Sequence, residues 1–200
     1  DKGDTHAFFD RAPGSHAHPS EWPHDRETRA RVQRQGRRLQ AQLSTDRGAV
    51  RDAMARVCEG LVAAAELPLV GGDEVPELDA LFERRADAEL LAATLTSSQL
   101  RDCLLTSALE NPRGAASLFL GIARNFDGIV RANALSIWAV IAVELHLAPW
   151  AWAAIECAQE EVPGHSMSAI LGKLLRIGEH EGLIRSALLG SAQMWRELEG

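Results

Sequence analysis

The sequence predicts an all-α protein, a helical-hairpin array of tetratricopeptide type with an irregular N-terminal arm, and three observations predict it. Apolar residues recur at spacings of three, four and seven along most of the chain, the period of one face of a helix, and no run shows the strict alternation of a strand. Turn dipeptides and prolines divide these runs into helix-sized pieces. Between residues 131 and 163, two apolar helical segments with interspersed alanines flank a break at His146 to Pro149, and Pro163 closes the second. This is the pattern of a repeat unit made of two packed helices.

The first 24 residues carry Gly3, Pro13, Gly14, Pro19 and Pro23 among polar residues, so nothing periodic is expected before Asp25 and residues 1–24 read as an irregular arm. A helical pair is expected over residues 25–67. In its first helix Val32, Leu39 and Leu43 share one side, arginines crowd the other, and Gly36 is a weak point. Ser44, Thr45 and Asp46 offer cap oxygens to the second, which carries Val50, Met54, Val57, Leu61 and Val62 on its apolar face. Pro68, Gly71, Gly72, Asp73 and Pro76 read as a linker and internal boundary, with Pro76 suited to the first position of the next helix.

Residues 77–200 are predicted to form the tetratricopeptide-like domain, with helices over 77–95, 98–110, 113–126, 129–145, 149–161, 166–178 and 182–198. Their breaks have local causes. Asn111-Pro112 disfavours helix before the proline, Asp127-Gly128 and Pro163-Gly164 are turn dipeptides, and Gly178 and Gly182 bracket a polar turn. In the repeat unit Leu135, Trp138, Ala139 and Ala142 form one face, and Ala151, Ile155 and Ala158 the other. Ala139 and Ala151 are expected where the helices cross closely.

The stretch from Arg131-Ala-Asn-Ala through Ala154-Ile-Glu-Cys-Ala-Gln-Glu-Glu-Val-Pro and on to Ala169-Ile-Leu resembles the C-terminal helical part of an actinobacterial family, domain of unknown function 4192. Arg37-Arg-Leu-Gln-Ala-Gln-Leu and Leu100-Arg-Asp-Cys-Leu-Leu are similar to it as well, so the resemblance covers residues 36–190. It implies a helical fold and no catalytic residues. It departs at the front, where the family has a strand-rich half that this chain lacks, together with any active site of that half.

Composition bounds the function classes. With 46% apolar and 24% charged residues and a net charge of −7, the chain is ordinary globular material, not a wholly disordered one, and lacks the overall basicity of a nucleic-acid binder. No signal-peptide pattern opens it, and the start at Asp1 without a methionine is expected of a fragment, a processed chain or an omitted start. Residues 134–155 are long enough to span a membrane, but Glu144, His146 and Pro149 interrupt them. A cytoplasmic location, with no membrane partner, is expected. Cys58, Cys103 and Cys157 are odd in number, lie in apolar stretches and read as small buried residues in a reducing compartment.

No motif names a reaction. His16-x-His18 with His24, Asp4 and His6 nearby has metal-ligand residue types, yet a punctuated arm holds ligands poorly, so neither metal nor other cofactor is expected. Gly164-His165-Ser166 and Gly178-Glu179-His180-Glu181 offer general bases without a nucleophile elbow or a phosphate-cradling loop. The reading is a non-catalytic protein-interaction or scaffold module of a cytoplasmic assembly, its partner another protein or a second copy. Phe8, Phe9, Trp22, Trp150 and Trp152 are the expected partner-binding residues, because large aromatics anchor interfaces. The arm rings are expected to be ordered in a groove, on the chain's own helices or a neighbouring subunit. Trp138 is expected in the core, and one of Trp150 and Trp152 on the surface. The alternative is a nucleic-acid-associated accessory domain contacting phosphates through Arg26, Arg31, Arg34, Arg37 and Arg38.

Overall fold

The computed structural model describes residues 2–10, 21–67 and 77–199, and within these the chain is all-α, without a strand. The expected linker (Pro68, Gly71, Gly72, Asp73, Pro76) and the His16-x-His18 pair lie outside the described residues.

The arm is not irregular throughout: α1 (Lys2–Phe9) is a helix. A helix this short is marginal in water. Tertiary contacts hold it, because Phe9 is fully buried and Arg131 donates to the Phe9 carbonyl at 2.7 Å. That bond satisfies one of the carbonyls a helix end leaves without a partner.

Two well-capped helices follow. Asp25 accepts from the Thr28 backbone N–H at 2.7 Å to start α2 (Arg26–Gln42), and Asp46 does so from Ala49 at 3.1 Å to start α3 (Arg47–Ala63). The pair has no core of its own: Val32, Leu39, Val50, Met54 and Leu61 join one continuous apolar core with the helices after residue 77. The boundary expected at residues 68–76 therefore does not separate two cores.

The segments expected over 77–95 and 98–110 are each broken. The first becomes α4 (Leu78–Leu81) and α5 (Arg85–Thr94), with extended backbone at Phe82. The second becomes α6 (Ser98–Cys103) and α7 (Leu105–Glu110). At Asn111 the side chain caps α8 (Pro112–Asn125) by accepting from Gly114 N–H, while its amide donates to the carbonyls of Val62 and Ala64. One residue thus starts a helix and ties down the end of α3.

Helix α9 (Gly128–Glu144) is the centre of the fold: every residue from Val130 to Val143 is buried. A helix apolar all round is one enclosed on all sides. It packs against α8 and against α10 (Ala148–Glu161), and the turn between α9 and α10 is a left-handed C-terminal cap. His146 sits at φ 60°. Its N–H bonds the Val143 carbonyl at 3.0 Å and Leu147 N–H the Ala142 carbonyl at 2.7 Å, which satisfies the helix end. Gly178 repeats the device at the end of α11 (Ser166–Arg176).

The last helix, α12 (His180–Glu199), returns to pack against α3, α6, α7 and α9. An open repeat array has contacts only between neighbouring units; here the terminal helix closes the array upon itself. None of the helices among the described residues is long and apolar enough to cross a membrane.

Candidate functional site

The expected aromatic anchors divide in two. Phe8, Phe9 and Trp150 turn inward around Trp138: the Phe9 and Trp138 rings lie 4.7 Å apart at 78°, and Phe8 and Trp150 lie 5.1 Å apart at 77°. Edge-to-face contacts of this kind add to the burial of the rings themselves. The arm is thus seated on the chain's own α9 and α10. Trp22 is half-buried, donates to Glu89 at 3.1 Å and lies under the Arg85 guanidinium. Trp150 and Trp152 are both half-buried, so neither of the pair is fully exposed.

Trp152 lines a groove of about 840 Å³ between α10 and α11, to which His6 of α1 also contributes. Its floor is apolar, built from Trp152, Ile155, Ala169 and Gly172. The absence of a side chain at Gly172 keeps that floor low, since a Cβ there would already touch Ile155. The rims are charged and opposite in sign: Glu156 and Glu160 of α10 on one side, Lys173 and Arg176 of α11 on the other. His6 Nε2 meets Glu156 at 2.9 Å.

Beneath the floor runs a buried polar network that the sequence did not reveal as such. Arg101 of α6 donates to Asn133 Oδ1 at 2.7 Å, and His165 Nε2 meets the same oxygen at 2.9 Å. Asn133 Nδ2 donates to the Leu95 carbonyl, which fixes the orientation of the amide. His165 therefore carries its proton on Nε2, and its Nδ1 accepts from the Ser168 N–H that it caps. Gln159 donates to Ser168 Oγ at 2.6 Å. Burial first, and then Arg101, push the His165 pKa down to about 4.

Ser168, His165 and Asn133 have the residue types of a nucleophile, base and orienting group. Ser168 borders the groove but is 0% exposed, and its oxygen accepts from Gln159, which also lines the groove. The other flagged base, His180, is exposed at the start of α12.

A protein-family model described as Domain of unknown function (DUF4192) matches residues 6–181. The chain belongs to this family. The DUF4192 match begins well before residue 36, so it takes in the end of α1 and all of α2 as well as the helices that carried the resemblance, and its described residues contain no strand. No curated protein and no solved structure matches the chain.

Within this DUF4192 chain the expected arginine face survives in part. Arg31 is committed to Glu89, at 2.8 Å, and to Glu27, and the Glu89 bond holds that carboxyl below its ordinary value, with Trp22 assisting. Arg26, Arg34, Arg37 and Arg38 are exposed, without an acidic partner among the described residues. The three cysteines are buried and free, with burial pushing Cys103 up to about 12 and Cys157 up to about 11. The groove itself was missed because its rims come from two helices whose crossing no local spacing encodes. Glu156-x-x-x-Glu160 and Lys173-x-x-Arg176 were its only sequence trace.

Proposed function

We propose that the chain is a non-catalytic interaction module whose groove between α10 and α11 takes an apolar segment of a partner protein. The groove carries this reading: an apolar floor around Trp152 with an acidic rim facing a basic one suits an amphipathic helix or strand bearing charges of both signs. The α9–α10 hairpin serves in this reading as a tetratricopeptide-like scaffold, and a cytoplasmic assembly is its setting. A partner captured by the chain and lost from both Trp152→Ala and Lys173→Glu supports the proposal. Equal capture by the unchanged chain and both variants overturns it, and concentration-dependent self-association abolished by the same variants identifies the partner as a second copy.

The second reading, a nucleic-acid-associated accessory domain, is favoured by one observation, the unpaired Arg26, Arg34, Arg37 and Arg38 on α2. It requires binding to DNA or RNA that weakens steeply with salt. Failure of an Arg34→Glu/Arg37→Glu/Arg38→Glu chain to reduce such binding removes it.

A further inference from the structure

The seam between α1 and α10 brings together three side chains that are far apart in the sequence. Ligand atoms of His6, Cys157 and Glu160 all lie within 4.8 Å of one another. Cys157 and Glu160 are three apart on α10 and so share a face. His6 arrives from the docked N-terminal helix.

We propose that His6, Cys157 and Glu160 form a binding site for one divalent transition-metal ion of the zinc type, clamping α1 onto α10. This goes beyond the interaction-module reading and does not depend on it. Nitrogen, sulfur and carboxylate oxygen are the ligand atoms such an ion takes, and three protein ligands leave a fourth position for water or for a ligand from the adjoining groove. Tetrahedral bonding places ligand atoms about 3.3–3.7 Å apart, so a spacing within 4.8 Å has to close by at most about 1.5 Å. Glu160 is exposed and His6 half-buried, which leaves their side chains free to make that adjustment.

A second feature supports the site. His6 Nε2 is held at 2.9 Å by Glu156 Oε2. With the proton on Nε2, that bond orients the ring and leaves the Nδ1 lone pair for a metal, the carboxylate–histidine arrangement that commonly supports a metal-bound imidazole. Binding exchanges the thiol proton for the metal and releases that proton to solvent.

The test is a titration of the reduced, intact chain with Co²⁺, a spectroscopic stand-in for zinc. The expected result is one Co²⁺ per chain with thiolate-to-metal charge-transfer absorption in the near ultraviolet. Cys157→Ser should abolish that absorption, and His6→Ala and Glu160→Gln should each weaken binding by about tenfold or more. A His16→Ala/His18→Ala/His24→Ala chain should bind as the unchanged chain does. The proposal is overturned if the charge-transfer band is absent, if it survives Cys157→Ser, or if binding follows the arm histidines instead. Because Glu160 is exposed, Glu160→Gln leaves the fold intact, and undiminished affinity in that variant also overturns the three-ligand site.

Discussion

The rings of Phe9 and Trp138 meet edge to face at 4.7 Å, joining the last residue of the N-terminal helix to the middle of the most deeply buried helix of the protein. The contact makes α1 part of the core. Truncating Phe9 to alanine leaves a large cavity beside Trp138, and the expected cost is about 3–5 kcal/mol. Chemical denaturation measures that loss. Limited proteolysis should in addition show α1 cut before the remaining helices, whereas an unchanged melting temperature would place the arm off the core.

Gly36 is the point at which α2 crosses α5. A Cβ there would fall 2.9 Å from the Ala93 carbonyl oxygen and closer still to Thr96. The carbonyl is backbone and cannot step aside. Although alanine has the higher helix propensity, Gly36→Ala is expected to destabilise by about 1–3 kcal/mol through overpacking. A stabilised variant in thermal unfolding would show that propensity alone governs the site.

Ala139 and Ala151 are buried on the two helices of the α9–α10 hairpin, at 1% and 0% exposure. Small residues there permit close packing. Ala151→Leu should then cost about 1–3 kcal/mol, and an unaltered melting temperature would refute the close crossing.

How much of this was legible in the sequence follows the range of the forces involved. Asp25, Asp46, Asn111 and Gly178 act within a few residues of themselves, and the helix starts and stops they set were readable from local chemistry. The inward placement of Trp138 followed from its neighbours in the apolar run. What escaped was set by distant partners. Gly36 looked like a defect and is a contact point; the arm looked irregular because the stabilising partners of Phe8 and Phe9 lie on α9 and α10. The metal-ligand trio was illegible for the same reason, since only folding brings His6 to Cys157.

The break between α6 and α7 belongs to this second class. The Cys103 carbonyl, which a continuous helix would use internally, accepts instead from Trp195 Nε1 at 3.0 Å and Ser191 Oγ at 3.3 Å, both on α12. Ser191 Oγ also accepts from the Thr106 N–H. Such insertion of side chains into the helix ladder is a recognised cause of a break. Ser191→Ala strips a buried acceptor from Thr106 and should cost about 1–3 kcal/mol. Hydrogen exchange should then accelerate at Thr106, and unaltered protection there would show that α12 does not hold the break.

The buried His165 sets the response to acid. Its folded-state pKa is pushed down to about 4, from the ordinary value of 6.5, because burial and Arg101 both oppose a second proton. The unfolded chain therefore binds more protons between these two values, and stability rises with pH across that window. The contribution is complete above pH 6.5 and is lost as the pH falls toward 4, amounting to about 3 kcal/mol. Carboxylates such as Glu89, held below its ordinary value of 4.5 chiefly by Arg31, respond at lower pH and leave the upper part of the window to the histidine. Denaturant titrations at pH 7 and pH 5 separate the two: the unchanged chain should lose stability between them, and His165→Gln should show a flatter profile around a lower baseline. Equal slopes in the two proteins would mean that the network of Asn133, His165 and Ser168 tolerates an imidazolium, and that the acid sensitivity lies elsewhere.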